Sequence, residues 1–143
     1  MEYNYEKLEV YKLSRDYTVR VYQLTKNFPV EEQFGLISQI RRASVSIVLN
    51  IVEGSSRKSN KDFAIFVERA VGSLIETRAA LDISVALEYL KEDARTDLDK
   101  ITDELFFKLQ ALKKSLRSNN SNNSNNSNNS DNSNNSNISN NHA

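Results

Sequence analysis

The sequence predicts an all-α fold, an antiparallel up-down-up-down four-helix bundle followed by a disordered C-terminal tail. Only three glycines and one proline occur in 143 residues, so few residues interrupt helices and long helices are expected. Apolar residues recur three and four positions apart in four successive segments, and no strand-like alternation competes with this pattern. From Ser118 onward almost every residue is Ser or Asn, a composition that cannot offset the entropy lost on ordering.

The composition divides the chain at Arg117. Residues 1–117 are predicted to form the bundle, and residues 118–143 a Ser/Asn-rich, low-complexity, disordered tail. A segment of this length is sufficient for one domain with one core. All 19 basic residues and all but one of the 19 acidic residues lie at or before Arg117. The near-neutral domain argues against a strongly basic nucleic-acid-binding protein, but it permits a local basic patch.

The first two helices are predicted from about Tyr5 to Lys26 and from Pro29 to Gly54. The first carries two apolar stripes, which fits either a wide core face or a core face plus a subunit interface. Proline suits a first helical turn, where Glu31 and Glu32 would complement the positive helix end. The second helix repeats core-type residues at three- and four-residue spacing: Phe34, Ile37, Ile40, Ser44, Ile47 and Ile51.

The third helix is predicted to begin after Ser59, because Ser59 and Asp62 have the spacing of a capping box, and to end near Leu90. Thr96 is predicted to cap the fourth helix, which runs to Arg117. Charge changes from acidic to basic along this last helix. That gradient fits the helix dipole and is interpreted as structural.

Several chemistries are excluded by composition. The domain has no Cys and no His, since the one histidine is His142 in the tail. Zinc sites built on thiolates or imidazoles and nucleophile–histidine pairs are therefore unavailable. No enzymatic activity, metal or cofactor is predicted; the alternative is a carboxylate-only metal enzyme, with Glu53 and Glu76 as the best candidates. No apolar run approaches a membrane span, and no signal peptide is recognisable, so a cytoplasmic location is expected.

Two residues need a compensating neighbour. Gly72 lies in the middle of the third helix, where glycine costs about 1 kcal/mol relative to alanine. Close approach of another helix is predicted there, with a bound ligand as the alternative. Glu53 is placed at the negative end of the second helix, so a cation is expected to meet it in a structural ion pair, with an acid–base role as the alternative. The candidate cations are Arg41, Arg42, Arg57 and Arg69.

Basic residues supply the candidate binding site. Arg41 and Arg42 are about 100° apart on a helix, so at most one can point into the bundle. Three more cations lie in the link before the third helix, whose amino end favours anions. The candidate nucleic-acid-binding residues are Arg41, Arg42, Arg57, Lys58 and Lys61. The alternative is a solvated basic loop with internal ion pairs.

The same region carries a family resemblance. The patterns are FP-x-x-E, GL-x-x-QIRRA-x-x-SI-x-x-NI-x-EG-x-x-R and F-x-x-F-x-x-x-A-x-GS-x-x-E, which run from Phe28 to Arg57 and from Phe63 to Glu76. They resemble the four-helix-bundle family of proteins encoded in intervening sequences of bacterial 23S rRNA genes. The resemblance covers the domain and none of the tail.

The resemblance implies a cyclic homopentamer. It also brings a relative, the accessory variability determinant of diversity-generating retroelements, which partners a reverse transcriptase and binds nucleic acid; that relative is strongly basic, unlike this chain. Together, sequence and resemblance predict a non-enzymatic homo-oligomeric scaffold or accessory factor that contacts RNA or DNA through a local basic surface. The alternative is a protein-partner scaffold, for example for a reverse transcriptase, without direct nucleic-acid binding.

Overall fold

The computed structural model describes residues 1–128. It contains four α-helices and no strand in that range: α1 (Glu9–Thr25), α2 (Leu36–Ser55), α3 (Asn60–Ala86) and α4 (Glu92–Asn128). Each helix packs against the next one along the chain, and α1 also packs against α4. The predicted all-α four-helix bundle is confirmed.

The core is a single apolar cluster between the four helices. Its largest side chains are fully buried, and burial of each contributes roughly 1.5–3 kcal/mol relative to exposure. They recur at three- and four-residue spacing on each helix, as the sequence pattern predicts. They are Tyr17 and Val21 from α1, Ile40, Ile47 and Ile51 from α2, Val67, Leu74 and Leu81 from α3, and Leu105 and Leu109 from α4.

Tyr17 brings a phenol hydroxyl into this core, in addition to the hydroxyls of buried serines and threonines. Its side chain is fully buried, and its hydroxyl has no hydrogen-bond partner among the described residues. Burial raises the pKa of Tyr17 to about 12, because the phenolate would lose its hydration. The phenol therefore stays neutral at physiological pH.

The first helix begins later than the sequence predicts. Residues Asn4–Lys7 form a separate 3₁₀ turn, and Leu8 is extended, with ψ of 127°, before α1 starts at Glu9. The extended residue breaks the run of helical hydrogen bonds, so the start predicted at Tyr5 is wrong. The helix ends at Thr25, one residue before the predicted end at Lys26.

The start predicted for the second helix at Pro29 is also wrong. Pro29 precedes a 3₁₀ turn at Val30–Glu32. Gly35 has φ −108° and ψ −111°, which are not helical angles, so α2 begins only after it. Glu32 still serves the positive end of α2 from outside, because its Oε2 accepts a hydrogen bond from the amide of Leu36 at 2.9 Å. Phe34 lies ahead of the helix and is 94% exposed, so its predicted place in the core is wrong.

The cap of the third helix is confirmed. Ser59 Oγ accepts a hydrogen bond from the amide of Asp62 at 3.1 Å. The helix ends at Ala86 and not near Leu90, since Glu88 in the following turn has a positive φ of 63°. The fourth helix begins at Glu92, so the prediction that Thr96 caps it is wrong. Thr96 lies inside the helix, where its Oγ1 donates to the carbonyl of Glu92 at 2.9 Å.

The fourth helix continues past Arg117, where the sequence places the end of the bundle, to Asn128. Within this continuation, Ser118 Oγ donates to the carbonyl of Lys114 at 3.0 Å. The domain boundary and the disorder of the tail stay predictions. Residues 129–143 of the tail lie outside the described residues.

Candidate interaction surfaces

The five predicted cations do not form one cluster. Arg41 and Arg42 lie in the first half of α2, whereas Arg57, Lys58 and Lys61 lie beyond its C-terminal end or at the start of α3. At the helical rise, the separation of Arg42 and Arg57 is about 22 Å. The structure therefore brings the last three together and leaves the arginine pair apart from them.

Arg41 is the member of the pair that turns inward, toward the end of α1. Its Nε donates to Thr25 Oγ1 at 2.9 Å, and its Nη2 contacts the carbonyl oxygen of Tyr22 at 3.4 Å. The guanidinium also lies 4.6 Å from the centre of the Tyr22 ring. A cation at the negative end of α1 and over an aromatic face is stabilising. The Arg41 side chain is therefore engaged by contacts within its own chain.

The sequence predicts that a cation pairs with Glu53, and in the structure this cation is Arg57. The Arg57 guanidinium forms an ion pair with the Glu53 carboxylate. Two guanidinium groups contact the ring of Phe66: Arg57 at 4.6 Å and Arg69 at 4.8 Å from its centre. Because its charge is already balanced, Arg57 has less positive charge to offer a ligand than an unpaired lysine has.

One end of the bundle is basic, because cations of α4 lie there beside two that the sequence predicts, Lys58 and Lys61. Lys61 of α3 and Arg117 of α4 line the same cleft, whose volume is about 350 Å³. Arg117 forms an ion pair with Glu68 at 3.5 Å. The four lysines at this end, which are Lys58, Lys61, Lys113 and Lys114, have no ion pair with a described residue. In the sequence, the only sign that α4 contributes to this end is the change from acidic to basic residues along the helix. The antiparallel topology then places the basic part of α4 beside the α2–α3 link. The basic end consists of Lys58, Lys61, Lys113, Lys114 and Arg117.

The outer side of α3 carries several apolar side chains among its charged ones, although it faces solvent. Three isoleucines are exposed there, with Ile75 at 55%. Two small residues, Gly72 and Ala79, lie between them and are exposed as well. We call Ile65, Gly72, Ile75, Ala79 and Ile83 the α3 face. A Cβ at Gly72 would have no packing atom within 4 Å, so no helix of the same chain makes the close approach that the sequence predicts there.

A second apolar surface lies between α1 and α2. A cleft of about 450 Å³ there is lined by residues that include Val19, Tyr22 and Val45. Leu49, one turn after Val45 on α2, is 59% exposed. We call Val19, Tyr22, Val45 and Leu49 the α1–α2 face. The doubled stripe of the first helix thus divides, with Val21 in the core and Tyr22 at the surface.

The groove between α2 and α3 is polar. Ser46 Oγ and Ser73 Oγ are 2.9 Å apart, and Asn50 Nδ2 donates to the carbonyl of Ser46 at 2.8 Å. Gln39 Nε2 donates to a carboxylate oxygen of Glu76. Glu53 and Glu76 therefore have separate partners. Within residues 1–128, no three acidic or histidine side chains converge to hold a metal ion.

The fold and its surfaces define a small four-helix bundle with two exposed apolar faces and a basic end. No helix within residues 1–128 is both long and apolar enough to cross a membrane. The chain belongs to the 23S rRNA-intervening sequence protein family, whose family model matches residues 6–111.

A solved structure supports the same assignment. It is the crystal structure of a protein of unknown function from the S23 ribosomal protein family of Bacteroides thetaiotaomicron. The two chains are 25% identical, and the TM-score is 0.66 over 73% of this chain and 98% of that one. Comparison with curated proteins gives no match. Neither the family match nor this structural likeness brings an enzymatic activity with it.

Proposed function

We propose that this protein is a homo-oligomeric scaffold or accessory factor in which the α3 face of one subunit packs against the α1–α2 face of the next. The observation that supports this is the exposure of two apolar faces on different helices of one chain. A contact between two different surfaces is heterologous, and its repetition closes a ring when the rotation permits. The family resemblance gives five as the expected number of subunits.

The two faces differ in shape in a way that suits this contact. The α3 face is a ridge in which isoleucines alternate with small residues, so that another helix can approach its backbone closely. The α1–α2 face contains a cleft that Val19 and Val45 line together with polar side chains. Tyr22 lies at that cleft, and a tyrosine ring buries area while its hydroxyl keeps a polar contact. Exposed apolar residues that are grouped on one side of an element mark interaction sites more often than singly scattered ones do.

Light scattering on the full-length chain tests the assembly. Ile75→Lys on the α3 face and Leu49→Lys on the α1–α2 face should each give monomers, because each places a charge in an apolar contact. A mixture of the two variants should form a heterodimer, since the pair retains one intact face of each kind. Phe107→Lys is the matched control: Phe107 is 69% exposed on α4, outside both faces, and this change should leave the oligomer intact.

Three results would count against this proposal. A wild-type chain that stays monomeric at micromolar concentration would remove the assembly altogether. A dimer formed by either variant alone would indicate a contact between identical surfaces. Dissociation by Phe107→Lys would show that α4 also contributes to the contact.

A second function, contact with the phosphate backbone of RNA or DNA, is favoured by the basic end. Lys58, Lys61, Lys113 and Lys114 are free of ion pairs with described residues, and lysines of this kind can replace the counterions of phosphates. In a ring, several copies of the basic end would act together. The alternative is a scaffold that binds a protein partner, such as a reverse transcriptase, without direct contact to nucleic acid.

Binding to RNA and to duplex DNA as a function of salt concentration tests this second function. The triple variant Lys58→Glu, Lys61→Glu, Lys114→Glu should lose binding, and the affinity of the wild type should fall steeply with salt. Lys91→Glu is the control, because Lys91 is exposed at the opposite end of the bundle. Absence of binding at low salt would remove the nucleic-acid role and leave the protein-partner scaffold.

A further inference from the structure

Arg42 and Glu76 are charged side chains beside the two apolar faces, and neither has an ion pair with a described residue of its own chain. Arg42 lies one turn before Val45 on the outer side of α2, is exposed, and has no hydrogen bond or ion pair with a described residue. Glu76 follows Ile75 on α3 and accepts a hydrogen bond from the neutral amide of Gln39. Both charges lie where the proposed assembly would remove water.

The other charged side chains near these faces already have a contact in their own chain or lie at an edge. The Arg69 guanidinium, for example, lies 4.8 Å from the centre of the Phe66 ring. Glu68 is 3.5 Å from Arg117, and Asp82 forms ion pairs with two arginines of the α3–α4 region. Asp62, like Glu76, has no ion pair with a described residue, but it lies in the first turn of α3, so Glu76 is the acid in the middle of α3 that no cation meets. Lys26 lines the α1–α2 cleft, but it lies at the C-terminal end of α1, where the helix dipole already favours a cation.

We infer that Arg42 of one subunit forms an ion pair with Glu76 of the next, and that this pair sets the register of the two faces. This inference rests on the proposed assembly. A charge that is buried without a partner is costly, so contact of the two faces requires that Arg42 and Glu76 be compensated. A guanidinium can meet a carboxylate with two parallel hydrogen bonds, which fixes their relative position.

The apolar residues alone would not specify that register. Isoleucines and small residues alternate along the α3 face, so a shift of the ridge along the cleft would present a similar surface. A single polar contact inside an apolar interface is an effective way to select one register among near-equivalent ones. The proposed pair has this role because Arg42 and Glu76 are charges of opposite sign beside the two apolar faces, and neither has an ion pair with a described residue.

The heterodimer of the Ile75→Lys and Leu49→Lys variants provides the test, because it contains a single junction. The Ile75→Lys subunit contributes Arg42 to that junction, and the Leu49→Lys subunit contributes Glu76. Arg42→Glu in the first subunit or Glu76→Arg in the second should each raise the dissociation constant by about tenfold or more. The two reversals together should restore the affinity to within about threefold of the parent pair.

Because the two reversals are in different chains, an ion pair within one chain cannot produce this rescue. Lys26→Glu in the first subunit is the control, and its effect should be smaller and not rescued by Glu76→Arg. Additive weakening without rescue would overturn the ion pair while leaving the heterodimer, and hence the assembly, in place. If the parent pair forms no heterodimer, both the assembly and the ion pair are overturned.

Discussion

Gly54 and Gly72 are both helical glycines, yet they have opposite surroundings. Gly54, in the last turn of α2, is buried, and a Cβ there would lie 2.7 Å from Phe63 Cδ2 and 2.8 Å from Phe66 Cβ. Gly72, in the middle of α3, is exposed and has no packing atom within 4 Å of such a Cβ. One glycine permits close packing inside the chain, whereas the other leaves open space on the outer surface.

The difference shows where the chain completes its own packing and where it does not. Glycine in a helix costs about 1 kcal/mol relative to alanine. At Gly54 that cost is offset by the contact of α2 with α3. At Gly72 no contact within the subunit offsets it, and Gly72 lies among the exposed isoleucines of the α3 face. Compensation by a neighbouring subunit is consistent with the proposed assembly.

The largest effect expected from this comparison is that of Gly54→Ala. The added methyl group would be too close to Phe66 Cβ, which is fixed to the backbone of α3, so the two helices must shift. Overpacking of this kind costs about 1–3 kcal/mol, from which a helix-propensity gain of up to about 1 kcal/mol is subtracted. Urea denaturation should show a lower midpoint with an unchanged m-value.

The measurement is best made in the Leu49→Lys background, in which subunit folding is separated from assembly. Gly72→Ala in the same background is the matched control, since it makes the same chemical change in open space. An unchanged or higher midpoint for Gly54→Ala would show that the contact between α2 and α3 relaxes at little cost.

Most of the fold follows from the sequence because the signals are local. The apolar spacing reveals the buried side of each helix, and the Ser59 cap is a short-range motif that the structure confirms. The start of α2 did not follow, because Pro29 suits the first turn of either an α-helix or a 3₁₀ turn. Gly35, which separates the two, is of a residue type that interrupts helices, but the apolar spacing of Phe34 and Ile37 continues across it. The misplacement of Phe34 follows from the same error.

The candidate surfaces were less predictable because they depend on which elements meet. The sequence predicts that Glu53 needs a cation, but only the structure selects Arg57 from the four candidates. The lysines of α4 fit a dipole gradient when read along one helix, and only the antiparallel topology places them beside Lys61. The nucleic-acid role of the five predicted cations stays a prediction, with Arg41 and Arg57 now engaged inside the chain.

The smallest effect, and the one that separates the two glycines most directly, is that of Gly72→Ala. In the Leu49→Lys background the change should stabilise the subunit by about 0.5–1 kcal/mol, because alanine is the better helix former and nothing obstructs its methyl group. In the wild-type background the same methyl group lies on the α3 face, where a neighbouring helix is proposed to approach. The gain should therefore shrink, and the oligomer should dissociate at a higher protein concentration than the wild type does. Equal stabilisation in both backgrounds, with unchanged dissociation, would place Gly72 outside the contact and restrict the α3 face to its isoleucines.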